Sequence, residues 1–330
     1  MHPILIVLVL AIFGLFSCKS DNCSSSADVS GIPMDVEVTR LEESIFRAQS
    51  PHEIRELLQN HPRYLARYAN LTGTPDDSLY YEEYFRVIQN PAIDTLYQQT
   101  QEVFSNLETL KTDFVQAFRY IKYYYPNFTP PKIYTTFTGL GSMGDDLLVS
   151  DSLIVISLDF FVGGEARFRP QVHDYMLGRY SPEYIVPSCV MILSNQFNQT
   201  NPADNSLLAE MVYYGKSYYF VQQVMPCLSD TLLAGYKESE VAIIEDNTAM
   251  IWSHFIDNEL LYETSHIVKP RYVGERPSTI EINTEIPGRV GRWLGWQIVQ
   301  SYEEKNGKEL PQIMQEADAQ QIFIQAKYRP

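Results

Sequence analysis

One stretch constrains the fold more than any other: Ser206 to Pro226, SLLAEMVYYGKSYYFVQQVMP. Its spacing predicts a long helix. Ser206 can accept a bond from the free N–H groups of the first turn, and Pro226 cannot continue the ladder. At about 100° per residue, Leu207, Met211, Tyr214, Tyr218, Val221 and Met225 share a stripe, with Leu208, Val212 and Tyr219 beside it. Phe220 and Val224 lie opposite. A helix apolar over most of its circumference is enclosed by protein on several sides. Two residues break the pattern. Gly215 costs about 1 kcal/mol against alanine inside a helix, so its presence predicts close approach of another backbone. Gln222, in the same arc, must find hydrogen-bond partners once buried.

A helix of that kind needs a large core, and with 45% hydrophobic and 13% aromatic residues the chain can build one. The formal net charge of −16 opposes binding to a phosphate backbone, so a nucleic-acid partner is not expected. Residues 1–17 form one apolar run, shorter than the roughly 20 residues that span a bilayer, and read as a secretory signal peptide. Leu15-Phe16-Ser17-Cys18 is similar to the bacterial lipobox, which makes Cys18 the expected site of lipid attachment. Residues 18–32, serine-rich at Ser24–Ser26, suit a flexible tether. Lys19 leaves the position after the cysteine without an aspartate, which favours the outer membrane. Cys23 lies in the tether. Cys189 and Cys227 are left in an oxidising compartment where a bridge is permitted. An antiparallel pairing of their helices would overshoot the bridge by about 15 Å, which argues against it.

The rest of the chain, 33–330, reads as one mostly helical domain. Over 33–125 the pattern is helical. Ser50-Pro51-His52-Glu53 is a start signal, and helices are predicted after it, from Asp77-Ser78 to Asn90-Pro91, and in one long run from Thr95 to Tyr125. Over 131–163 the texture changes to a small sheet: Lys132–Thr138, then Leu147–Val149 and Leu153–Leu158 joined by a hairpin turn at Ser150-Asp151-Ser152. Over 181–330 helices return at Pro187–Phe197, Ser206–Met225, Asn247–Tyr262, Val290–Glu304 and Asp318–Gln325.

Several motifs are better explained by packing or turns than by chemistry. Gly139-Leu-Gly141-Ser-Met-Gly144 matches a dinucleotide fingerprint in letters. It is followed by Asp145, Asp146 and strands instead of a helix, so it reads as a loop. Asp145, Asp146 and Asp151 lack the ligand spacing of a calcium loop. No two of the six histidines lie at i, i+4, and His254, between Trp252 and Phe255, reads as a satisfied interface histidine. Gly291 and Gly295 lie one turn apart on a face with Ile298 and Tyr302. Arg289 and Arg292 exclude a membrane dimer motif there, so close packing is the expectation.

The lipobox, LIVISLDFFVGG (153–164), YSPEYIVPSCVMIL (180–193), LLAEMVYYGKSYYFVQQVMP (207–226), IWSHFIDNELLYET (251–264), PGRVGRWLGWQIVQSY (287–302) and the closing AKYRP occur in that order. Together they resemble the gliding motility-associated lipoproteins of Bacteroidota, the GldB type. That family in turn resembles zinc metallopeptidases of the zincin type, in which HExxH on one helix is completed by a glutamate preceding a glycine on the next. Zinc needs three protein ligands and a carboxylate base. Here the helix through Val190–Asn198 has no histidine or glutamate, and Tyr214 precedes Gly215, with Glu210 one turn earlier. The resemblance therefore implies an α+β, predominantly helical, zincin-like fold whose small central sheet is flanked by an N-terminal helical region and a C-terminal bundle. Asn195 and Tyr214 would stand at degenerate former metal-site positions. It implies no metal, no cofactor and no catalysis, with a lipid-held membrane and envelope motility or secretion proteins as partners. The alternative is an envelope metallopeptidase or other hydrolase with an unrecognised site.

Overall fold

The structure is a computed structural model that describes residues 27–71 and 77–330. Residues 1–17, read as a signal peptide, with Cys18, Cys23 and most of the expected tether, lie outside the described residues. Chain order begins with a short strand β1 (Val38–Arg40), followed by α1 (Leu41–Arg47), α2 (Pro51–Gln59), α3 (Pro62–Arg67), α4 (Ser78–Ile88), α5 (Pro91–Val103) and α6 (Glu108–Tyr124). Then come β2 (Lys132–Thr136), β3 (Leu147–Val149), β4 (Leu153–Ser157), α7 (Asp174–Leu177), α8 (Ile185–Leu193) and α9 (Leu207–Val224). The chain ends with α10 (Asp230–Ala234), α11 (Glu238–Asp246), α12 (Thr248–Asp257), α13 (Pro270–Val273), α14 (Val290–Asn306), α15 (Leu310–Gln315) and α16 (Ala319–Ala326). The described chain is predominantly helical with a small mixed sheet, as the sequence predicts.

The sheet has the order β1-β2-β4-β3. β1 and β4 run parallel to β2, and β3 is antiparallel to β4 across the expected hairpin, where Ser150 N–H donates to the Leu153 carbonyl at 2.8 Å. β4 is buried at every position, and its alternation divides the protein. Ile154 and Ile156, with Ile133 of β2, enter the large core built by α6, α8, α9 and α14. Leu153 and Val155, with Tyr134, enter a smaller core under α1 to α4. Three tyrosines reach hydroxyls of the sheet in that second layer, while the buried Tyr80 and Tyr81 hydroxyls have no hydrogen-bond partner among the described residues. The Tyr64 and Tyr84 hydroxyls meet Thr136 Oγ1 at 3.0 and 3.4 Å, and Tyr68 meets Ser157 Oγ at 2.7 Å.

Local signals account for most helix starts. Ser50 Oγ accepts from Glu53 N at 3.3 Å, and the Glu53 carboxylate reaches back to Gln49 N at 2.9 Å. Three expectations are corrected. The first strand lies inside the region read as helical, because three residues running straight into a helix carry no strand period. The run from Thr95 to Tyr125 is two helices: Asn106 Oδ1 accepts from Glu108 N, while the Arg40 guanidinium takes the Phe104 carbonyl at 2.9 Å. The Asn247–Tyr262 helix likewise ends at Asp257, and Glu259 turns left-handed before a 3-10 turn.

The glycine-rich stretch is a loop between β2 and β3, closed around a buried carboxylate. Asp159 accepts from Thr138 N at 3.1 Å, Leu140 N at 2.7 Å and the Thr138 hydroxyl at 3.3 Å. Gly139 and Leu140 sit at φ +66° and +54° to aim those groups inward. Burial pushes the Asp159 carboxyl up to about 6, against the opposing pull of these bonds.

Candidate functional site: an arginine-lined cleft beside the central helix

The site is positioned by the packing of α9 on α14. Ser206 caps α9, its hydroxyl accepting from Ala209 N at 3.2 Å. A Cβ on Gly215 would overlap the Gly295 carbonyl, and a Cβ on Gly295 would overlap the Met211 carbonyl. The two helices therefore cross with backbones in contact, as the glycine inside the apolar arc predicts. Gln222 finds its partners on the same neighbour: its Oε1 accepts from Trp296 Nε1 at 3.3 Å and Gln300 Nε2 at 3.1 Å.

This crossing brings the start of α14 alongside Tyr214 and Tyr218. Arginines stand at the N-cap (Arg289) and third position (Arg292) of α14, where the helix dipole disfavours cations. A carboxylate compensates them. Glu275 meets Arg292 Nη1 at 3.3 Å, Arg289 Nε at 3.5 Å and Arg179 Nη2 at 2.8 Å. Burial alone would raise the Glu275 pKa, but bonds from Arg179 and the charges of Arg289, Arg179 and Arg292 outweigh it and hold the carboxyl below the usual glutamate value. Arg289 is 7% exposed and left-handed at φ +64°. Its guanidinium donates to the Ala234 and Gly235 carbonyls at 3.0 and 2.8 Å and stacks on Tyr236. Arg292 lies over the Tyr214 ring at 4.2 Å and donates to the Val273 carbonyl at 2.6 Å.

The three guanidiniums line a cleft of about 360 Å³. Pro187 and Met191 of α8 and Tyr218 of α9 supply other walls, and Asp146, holding the Tyr180 hydroxyl at 3.0 Å, stands just before β3. Charges therefore converge from segments far apart in sequence. Such a site can hold a carboxylate or another oxyanion through bidentate guanidinium bonds.

Asn195 and Tyr214 have different neighbours. Asn195, in the 3-10 turn after α8, accepts from the Tyr213 hydroxyl at 2.7 Å, whereas Tyr214 lies beneath Arg292. Glu210 is ion-paired with buried Lys269. Beside it, Lys216 of α9 is 1% exposed and donates to the carbonyls of Gln199, Glu316 and Met314 at 2.5, 2.9 and 3.4 Å. His254 meets the Tyr272 hydroxyl at 3.0 Å, an interface role. Among the described residues no group of three or more His, Cys, Asp or Glu gathers as a metal site. Nor is any described helix long and apolar enough to cross a membrane.

Comparison with protein-family models matches residues 22–330 to the family described as gliding motility protein GldB. The chain belongs to the GldB family. It is thereby a gliding motility lipoprotein, tied to the motility machinery and, through its family name, to lipid anchoring in the envelope. No curated protein and no solved structure matches.

The arginine cluster was not expected from sequence. Arg289 and Arg292 stand out as cations at a helix start, but their partners Glu275 and Arg179 carry no spacing signal.

Proposed function

We propose that this GldB-family lipoprotein is non-catalytic and serves the gliding machinery by protein contact, with the arginine-lined cleft receiving a carboxylate-bearing segment of an envelope partner. One observation carries the reading: Arg179, Arg289 and Arg292 converge on the single carboxylate of Glu275 at a cleft wide enough for a side chain or chain end. Glu275 shows how these guanidiniums hold a carboxylate, the group that the partner segment would present to them. Removing water from guanidinium–carboxylate pairs favours specific recognition more than raw affinity, which suits an assembly contact in a protein that is otherwise acidic.

The former-metallopeptidase reading is part of the same proposal. It is supported by consecutive helices α8 and α9 bordering one cleft at the edge of a mixed sheet. Tyr214 precedes the glycine at which α9 meets α14, the slot where that reading places a lost acidic ligand. Lipid on Cys18 would hold the domain at the membrane, since two or more acyl chains anchor stably.

The test is complementation of a deletion strain in a gliding host. Arg179→Glu reverses one charge on a side chain that does not support the α9–α14 crossing. It should accumulate at membranes like the wild type and fail to restore colony spreading. Full restoration would overturn the cleft contact. Near-stoichiometric zinc in the purified protein, or chelator-sensitive peptidase activity, would overturn the non-catalytic reading.

A further inference from the structure

The groups that line the arginine cleft suit one kind of acid better than others. We propose that its occupant is the C-terminal end of a polypeptide whose last residue is apolar. This rests on the reading of the cleft as a carboxylate site and adds which carboxylate enters it.

Charge is the first constraint. Arg179, Arg289 and Arg292 bring three positive charges to the cleft, and Glu275 and Asp146 bring two negative ones. One positive charge is left over, which matches a single carboxylate and opposes a phosphate dianion or a residue with two acids. The guanidiniums also differ in what they have left to give. Arg289 is spent on the Ala234 and Gly235 carbonyls, the Tyr236 ring and Glu275. Arg292 uses Nε on the Val273 carbonyl and Nη1 on Glu275, and its Nη2 has no acceptor among the described residues. Arg179 binds Glu275 through Nη1 and Nη2, and its Nε likewise has no acceptor among them. Donors for a second carboxylate therefore remain on Arg179 and Arg292.

Much of the remaining wall is apolar. Pro187, Met191 and Ile192 line the cleft from one side of α8, and Leu232 and Leu233 line it from α10. Ile192 is 40% exposed there, apolar surface that gains by being covered. Leu233 adjoins Ala234, whose carbonyl holds Arg289, so apolar wall and guanidinium meet within a residue of each other.

A chain end suits that neighbourhood, because its carboxylate and its last side chain branch from one Cα. An acidic side chain has no apolar group beside its acid. It also brings chain on both sides, so two lengths of backbone must leave by the mouth. The cleft holds about 360 Å³, near the lower bound of about 300 Å³ for small-ligand pockets, which favours the single segment. A fatty acid also offers one carboxylate and an apolar tail, but it has no N–H for Asp146. That carboxylate accepts one bond on each oxygen, from the Leu147 N–H and the Tyr180 hydroxyl, and keeps capacity for the amide N–H of a terminal residue.

Full-length protein in detergent is offered short N-acetylated peptides with the final positions randomised, as free acids and as C-terminal amides. Free acids ending in Leu, Ile, Met or Phe should be retained. Amidation should weaken them at least about tenfold, the loss of a charge-assisted hydrogen bond. Arg179→Gln should weaken the same peptides to a similar extent, and Ile192→Ser, at an exposed position, should reduce the preference for an apolar last residue. Free acids ending in Asp or Glu should bind no better than the amides, and should gain at least about tenfold in Asp146→Asn. Amides carrying an internal glutamate that bind as tightly as the free acids would overturn the chain end and leave the carboxylate reading standing. Tighter binding of decanoate than of any peptide would overturn it in favour of a fatty acid. Retention of neither peptide set would also overturn it, while the spreading assay with Arg179→Glu decides the cleft contact by itself.

Discussion

Gly215 and Gly295 face each other across the crossing of α9 and α14, and the Gly295 carbonyl occupies the space that a side chain on Gly215 would need. Gly295 is equally confined by the Met211 carbonyl. Both sites are helical, so alanine would gain about 1 kcal/mol of intrinsic propensity. Overpacking against backbone that cannot rotate away costs more, typically 1–3 kcal/mol and above. Gly295→Ala should therefore lower unfolding free energy by at least about 2 kcal/mol in urea denaturation. Gly178→Ala, where nothing lies within 4 Å of the added methyl, should change it little.

The contrast between those glycines also marks what a sequence can carry. Gly215 is legible because a helix apolar all round has no other use for a glycine, and β4 is legible because LIVIS is short, β-branched and bounded by turn residues. The break between α5 and α6 is not, since apolar spacing continues through it and the Arg40 bond that stabilises it comes from more than sixty residues away. The arginine cleft is hidden for the same reason. Its charges come from the turn after α7, the segment after α13 and the start of α14, and only the unfavourable placement of Arg289 and Arg292 at a helix start hints that a distant carboxylate must exist. Lys216 looks like an ordinary exposed lysine until α15 and the loop after α8 close over it.

Glu275 neutralises three guanidiniums, so Glu275→Gln should destabilise the domain. The loss should be about 1–3 kcal/mol, below the 3–5 kcal/mol of a fully buried broken pair, because a third of the side chain remains in water (33% exposed). Its folded pKa is depressed, so the stabilisation is complete above the ordinary glutamate value and disappears as pH falls through the folded one. Wild type and variant should accordingly differ at pH 7 and converge in acid. A gap that persists unchanged below pH 4 would mean that the contribution is not the charge.

Lys216 has the opposite linkage. Burial lowers its pKa to about 8, partly countered by Glu316, whereas the unfolded side chain titrates near 10.5. Between those values the unfolded chain holds a proton the folded one has shed, so stability from this group rises with pH. From pH 8 to 9.5 the gain should be about 2 kcal/mol. Lys216→Met removes the titration and leaves the Gln199 and Glu316 carbonyls without their donor. It should be less stable at pH 7 and lack the alkaline gain, so that the wild-type minus variant difference grows through this range in denaturation series.

Asp159 makes the glycine loop a second titrating element, with a sign set by burial. Its folded pKa of about 6 lies above the unfolded value of 3.8, so between them the folded protein keeps a proton the unfolded chain has lost. Stability from this group is therefore greatest in acid and falls as pH rises through the window, by about 3 kcal/mol in all. Asp159→Asn abolishes the titration but sets an amide N–H₂ or a lone acceptor against the N–H groups of Thr138 and Leu140, so the loop loses at least one of three bonds. Unfolding free energies of the two proteins measured from pH 4 to 7 should approach each other as pH rises. Parallel curves across that range would show that the carboxylate is already ionised in the folded loop at pH 4, held there by its donors instead of neutralised by burial.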